Sequence, residues 1–283
     1  MSLVITGATG HLGRLVVESL LARGTAAGDI VATGRNVEKL ADLAARGVTV
    51  APLDYTRAET VAAVVKPGDT LLLVSSSEVG QRTAQHTTVI DAAKSAGVAR
   101  IVYTSAPAAT TSPLVLAPEH KATEEALVAS GVPFTILRNG WYTENYLGEV
   151  DKGRENGAIV ASVGDGRVAS ASRKDYAEAA AVVLVDGGHE GKVYELSGDV
   201  AWSFDNLAAT ISGIVGRDVV YNRLSPEEHA QLLLSSFGLD EGTVGFVVAL
   251  DGNIRDGLLG VTSGELATLI GRPTTPLVEG LAA

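Results

Sequence analysis

Short, mostly apolar runs alternate, along the first half of the chain, with longer stretches in which apolar residues recur every three or four positions. The apolar runs are Leu3–Thr6, Ile30–Thr33, Val48–Pro52, Thr70–Val74, Arg100–Thr104 and Phe134–Leu137. Runs of this kind read as strands buried on both faces, and so as a parallel sheet covered by helices. The stretches between them, His11–Arg23, Val37–Ala45, Ala58–Val65, Thr83–Ala96 and Glu119–Ala129, predict those helices. Gly24, Gly47, Gly97 and Gly131 each follow a predicted helix and lead towards the next strand, as helix-ending glycines do. The alternation predicts an α/β fold with a Rossmann-like, doubly wound parallel sheet.

Past Asn139 the pattern loosens. Ser172–Val185 reads as helix, Lys192–Leu196 as strand and Ser203 as the cap of a helix over Phe204–Val215,. A short strand near Val219–Arg223 and helices after Ser225 and Ser263 follow. We expect a Rossmann domain over residues 1–139 and a smaller, mostly helical, substrate-binding lobe over 140–283. The boundary is soft, and segments can interleave. The lobe is expected over the carboxyl ends of the strands, where open α/β sheets bind ligands.

The first strand runs into Thr6-Gly7-Ala8-Thr9-Gly10-His11-Leu12-Gly13. In this strand–turn–helix setting Gly7 permits a tight turn. Gly10 lets backbone approach a pyrophosphate, and Gly13 lets the helix pack close to the sheet. The pyrophosphate of a dinucleotide then rests on free amides at the helix N-terminus. The second strand ends Ala32-Thr33-Gly34-Arg35-Asn36, with no acid at its tip. An NAD site usually puts a carboxylate there for the ribose 2′-hydroxyl. A guanidinium instead suits the 2′-phosphate of NADPH. Asp54, after the third strand, either receives the adenine amino group or caps the next helix. Ser75, Ser76 and Ser77, after the fourth, either lie beside the nicotinamide half or form a plain serine turn.

Composition narrows the chemistry. Thirty-three acids against 22 bases give a net charge of −11 over 283 residues, which repels phosphate backbones and argues against nucleic acid as partner. No cysteine is present, so thiolate catalysis and Cys-ligated metal centres are excluded. The five histidines show no paired metal-ligand spacing, and no metal is expected. No basic segment leads a long apolar stretch at the N-terminus, and no apolar run reaches the roughly 20 residues of a membrane span. A cytoplasmic protein without a membrane partner, monomeric or homodimeric, is expected.

Many short-chain dehydrogenases use Tyr-x-x-x-Lys, in which the lysine lowers the tyrosine's pKa for proton exchange with substrate. Four residues after Tyr55, Tyr103, Tyr142, Tyr146, Tyr176, Tyr194 and Tyr221 stand Glu59, Pro107, Tyr146, Val150, Ala180, Gly198 and Ser225. The pair is absent. Taking Glu124 as anchor of the corresponding helix, His120 falls in the lysine slot and Leu116 in the tyrosine slot. His120 is the candidate catalytic residue, binding a ribose hydroxyl or delivering a proton, against a partly exposed helix histidine. A quinone scarcely needs an acid, because hydride uptake leaves a phenolate of pKa about 10 that water can protonate. Trp141, Tyr142 and Tyr146 cluster after the sixth strand. They either wall a flat acceptor or form an apolar cluster joining the lobes.

Four segments together identify a resemblance: Ile5-Thr6-Gly7-Ala8-Thr9-Gly10 with Leu12-Gly13, Ser75-Ser76-Ser77-Glu78-Val79-Gly80-Gln81-Arg82, Leu137-Arg138-Asn139-Gly140-Trp141-Tyr142, and His189-Glu190-Gly191-Lys192-Val193-Tyr194-Glu195-Leu196. Over essentially its whole length the chain resembles the NmrA-like group of atypical short-chain dehydrogenases. The Ser-Glu-Val-Gly-Gln-Arg run is similar to that of its quinone-reducing rather than its dye-reducing members. The resemblance implies an NADPH-dependent reductase that passes hydride directly to a quinone or other flat acceptor, without flavin. It implies coenzyme contacts at Gly7, Ala8, Thr9, Gly10, His11 and Leu12, at Arg35 and Ser75–Ser77, at Asn139, Gly140, Trp141, Tyr142, Thr143 and Glu144, and at Arg173. The competing expectations are a non-catalytic, NADP-binding redox sensor and a triarylmethane or azo dye reductase.

Overall fold

A computed structural model describes Met1–Ala282. In chain order its strands are β1 (Leu3–Ile5), β2 (Ile30–Gly34), β3 (Thr49–Pro52), β4 (Thr70–Leu73), β5 (Arg100–Ser105), β6 (Phe134–Asn139), β7 (Ala158–Ala161), β8 (Arg167–Val168), β9 (Val193–Leu196), β10 (Trp202–Ser203) and β11 (Val220–Arg223). Its helices are α1 (His11–Ala22), α2 (Ala41–Ala45), α3 (Ala58–Val64), α4 (Arg82–Ala96), α5 (Ala117–Ser130), α6 (Leu147–Asn156), α7 (Arg173–Val185), α8 (Phe204–Val215), α9 (Pro226–Ser236), α10 (Glu241–Arg255), α11 (Glu265–Ile270) and α12 (Leu277–Ala282).

The chain divides into two compact units. The first comprises Met1–Thr110, Leu116–Asn139 and Arg173–Leu196. It holds a parallel seven-stranded sheet in the order β3-β2-β1-β4-β5-β6-β9. Six of these strands stand where the apolar runs predict them. The seventh, β9, lies in a segment the sequence reading assigns to the second lobe. It pairs with β6 instead, Ile136 opposite Val193 and Asn139 opposite Leu196. The predicted helix over Val37–Ala45 is a single 3-10 turn, Val37–Leu40, followed by the five-residue α2.

Register and pleat distribute the apolar side chains between two faces. Val4, Leu71 and Ile101 are lateral neighbours, as are Ile5, Leu72 and Val102. Alternation sends the two rows to opposite faces. The Val4 row joins Leu73, Tyr103 and Ile136 in a core shared with Val61 of α3, Val89 and Ile90 of α4 and Leu127 of α5. The pair α1 and α7 packs together elsewhere in the unit, outside this core. Tyr103 is thereby committed to the face that α4 and α5 cover.

The second unit comprises Thr111–Val115, Gly140–Ser172 and the described residues from Ser197 onward. It contains the parallel pair β7–β11, the antiparallel pair β8–β10, and α6 with α8 to α12. Ser203 caps α8 and Ser225 caps α9, each in a reciprocal capping box,. No helix among the described residues is long and apolar enough to cross a membrane.

Candidate functional site

The carboxyl ends of β1, β2 and β4 are neighbours in the sheet, and the glycine loop, Arg35 and Ser75–Ser77 follow them directly. Gly7 adopts φ +60°, a left-handed conformation that favours glycine. A Cβ on Gly13 would stand 2.5 Å from the Gly7 carbonyl oxygen, so α1 approaches the loop as closely as backbone allows. A Cβ on Gly34 would collide with the Thr9 side chain at 2.5 Å, so the loop drapes over the end of β2. Gly10, at the N-cap of α1, brings no side-chain cap, and the first turn carries no acidic residue. Gly10 and His11 are exposed, Ala8 and Leu12 buried. The bare positive end of α1 is suited to an anion. These features fit the phosphates of a dinucleotide.

Arg35 is 71% exposed and donates from Nη1 to Glu78 Oε1 at 2.9 Å. Asp54 serves its own turn before α3, accepting from the Thr56 amide at 2.9 Å and hydroxyl at 2.8 Å. Those bonds hold its carboxyl below the usual carboxylate range. Tyr55, which composition and pattern do not single out, runs beneath the loop. Its hydroxyl bonds Thr6 Oγ1 and donates to the Val74 carbonyl at 2.7 Å.

The serine segment is built into the core by its backbone. The Ser75 amide donates to Thr104 Oγ1 at 2.9 Å, and the Ser76 amide to His86 Nε2 at 2.9 Å. Arg82 Nε donates to the Ser76 carbonyl at 2.5 Å. Glu119 Oε1 accepts from the amides of Gly80 and Arg82, both at 3.1 Å. Ser77 is exposed. Because His86 Nε2 accepts, its proton sits on Nδ1, 3.0 Å from Thr123 Oγ1,. Thr123 Oγ1 in turn donates to the Glu119 carbonyl at 2.8 Å.

His120 lies on the same face, 4% exposed, with Nδ1 2.7 Å from the Tyr103 hydroxyl. Burial, then the Arg82 charge and then His86, push its pKa down to about 3; burial followed by Arg82 pushes His86 down to about 4. Both rings are neutral at pH 7. Burial raises the Tyr103 hydroxyl above its ordinary value. No run or spacing marks His86, Thr123 or Arg82 as companions of His120, because α4 and α5 bring them there.

Asn139, 5% exposed, ends β6 in the first unit, and Arg173 opens α7 in the same unit. Gly140, Trp141, Tyr142, Thr143 and Glu144 belong to the second. There Tyr142 bridges to Ala171, and the Thr143 amide donates to the Ala171 carbonyl at 2.9 Å. Thr143 Oγ1 lies 2.9 Å from Ser170 Oγ. Tyr146 is committed to packing, its ring edge-on to Trp202 with centroids 4.8 Å apart and to Phe204 at 5.8 Å.

A family model described as NAD(P)H-binding matches residues 7–186. The chain is 48% identical over 280 residues to quinone oxidoreductase 2 of Escherichia coli, covering 99% of this chain and 97% of that one. The chain belongs to the NAD(P)H-binding family, within its NmrA-like group. Solved structures similar to this NmrA-like protein include the E. coli NADPH-dependent quinone oxidoreductase complexed with NADPH. It is 48% identical with TM-score 0.94, over 99% of this chain and 98% of that one. Citrobacter sp. triphenylmethane reductase complexed with NADP(H) is 38% identical with TM-score 0.93, over 100% of both chains.

Proposed function

We propose that this NmrA-like protein is an NADPH-dependent reductase of quinones. Support for the coenzyme comes from Arg35, a guanidinium at the end of β2 where an NAD site would carry an acid,. Support for the acceptor comes from the near-complete match to a quinone oxidoreductase at 48% identity. Bound NADPH supplies a hydride from its nicotinamide ring. Gly7–Leu12 and the N-terminal amides of α1 hold the pyrophosphate, and Arg35 holds the 2′-phosphate. Ser75–Ser77 and Asn139 lie at the carboxyl ends of β4 and β6 towards the nicotinamide half, with Arg173 a further contact and Asp54 near the adenine. His120 acts as a neutral hydrogen-bonding group, since its ring carries no acidic proton at pH 7. A quinone tolerates this, because the phenolate left by hydride uptake is protonated by water.

The test is oxidation of NADPH by the purified, flavin-free protein when a benzoquinone is added, followed by the coenzyme's absorbance. Stoichiometric conversion to hydroquinone is expected. A panel of quinones that all fail while a triarylmethane dye is reduced would transfer the assignment to dyes. Failure with every acceptor despite NADPH binding would leave a coenzyme sensor.

A further inference from the structure

The Arg35–Glu78 ion pair joins the segments that follow β2 and β4. In the sheet order β1 lies between β2 and β4. Arg35 follows β2, Glu78 follows β4, and the 2.9 Å bond joining them bridges the carboxyl end of β1, where the glycine loop begins. The carboxylate is held in place from behind. Gln85 of α4, only 6% exposed, donates from Nε2 to Glu78 Oε2 at 2.8 Å, and the Glu78 amide donates to Ser76 Oγ at 3.1 Å. Asp54, the other acid close to Arg35, has an oxygen taken up by Thr56.

We propose that Glu78 is a coenzyme-selectivity residue, whose carboxylate occupies the Arg35 guanidinium until the 2′-phosphate of NADPH displaces it. The proposal rests on the NADPH reading above. A phosphate offers a guanidinium more charge and more acceptor oxygens than a carboxylate, so the exchange runs forward. Two penalties accompany it, the loss of the ion pair and the repulsion between the released Glu78 and the phosphate. Both weaken NADPH and NADP+, and the repulsion has no counterpart in NADH. Glu78 therefore limits the grip on the phosphorylated coenzyme in both of its oxidation states.

The experiment is a double-mutant cycle. Kd values for NADPH, NADP+ and NADH are measured by titration calorimetry on the unsubstituted chain, Glu78→Gln, Arg35→Ala and the double variant, with circular dichroism confirming the fold of each. Glu78→Gln should tighten NADPH and NADP+ by roughly two- to fivefold, the size expected of an exposed ion pair, and change NADH by less than about twofold. With Arg35 removed, the gain should shrink by at least about half. Unchanged or weaker NADPH binding in Glu78→Gln overturns the proposal, as does a gain that persists in full without Arg35. An unsubstituted chain that binds neither NADPH nor NADP+ overturns the coenzyme reading itself.

Discussion

The Tyr103 hydroxyl lies 2.7 Å from His120 Nδ1, beneath the α4–α5 face of the sheet. Tyr103 comes from β5 and His120 from α5, and both are nearly solvent-free. The bond satisfies two polar groups that burial would otherwise penalise, and burial, followed by the Arg82 charge and His86, keeps the imidazole uncharged.

A neutral His120 predicts that proton donation by this ring does not limit quinone reduction. His120→Asn should keep kcat within about tenfold of the unsubstituted enzyme, and kcat should show no ionisation of this group between about pH 5 and 8. Loss of a general acid commonly costs about 100-fold or more. A kcat deficit of that size, without a change in KM for NADPH, would make His120 the proton donor.

The same burial makes stability depend on pH. His86 and His120 titrate near 4 and 3 in the folded chain, below the ordinary 6.5. Above about pH 6.5 neither state is protonated at these sites and their contribution is complete. As pH falls below that value the unfolded chain binds protons that the folded chain refuses. Stability should therefore decline by up to about 1.4 kcal/mol per pH unit for each histidine, until the folded rings protonate. Urea midpoints at pH 7 and pH 5 read this directly, and His120→Asn should reduce the slope. Equal midpoints for the unsubstituted protein would show that the rings protonate freely.

Arg138 predicts a large stability loss on substitution. Its Nη2 donates to Glu124 Oε2 at 2.6 Å, its Nε to Glu124 Oε1 at 3.0 Å and its Nη1 to Glu195 Oε1 at 2.8 Å. The Glu124 side chain is 4% exposed and also accepts from Ser105 Oγ at 2.6 Å. Glu195 Oε2 accepts the amide of Ala108, held at φ +45°. Arg138→Met would leave the Glu124 carboxylate buried without its cation, a change that costs about 3–5 kcal/mol. Urea unfolding should show a drop of that order, and Glu124→Gln in the same chain should restore part of it. A loss below about 1 kcal/mol would mean that water already reaches Glu124.

The strands, the glycine loop and Arg35 were legible from the chain because each depends on residues adjacent in sequence. An apolar run marks β1, β4 or β5 whatever surrounds it. Gly7 and Gly13 are demanded by one tight turn and the start of one helix. Membership of β9 in the sheet was not legible, because an edge pairing with β6 is a choice made between segments far apart. The environment of His120 was equally hidden. Its slot on α5 could be counted from Glu124, but its burial against Tyr103 follows from the parity of β5 and the packing of two helices.

The sequence by itself determined that a cation and no acid follows the second strand, because the strand, the turn and Arg35 form one continuous stretch. Only the tertiary structure decided that Glu78, 43 residues further on, already holds that cation. Strand order places the ends of β2 and β4 on either side of β1, and hydrogen bonding between strands distant in sequence sets that order.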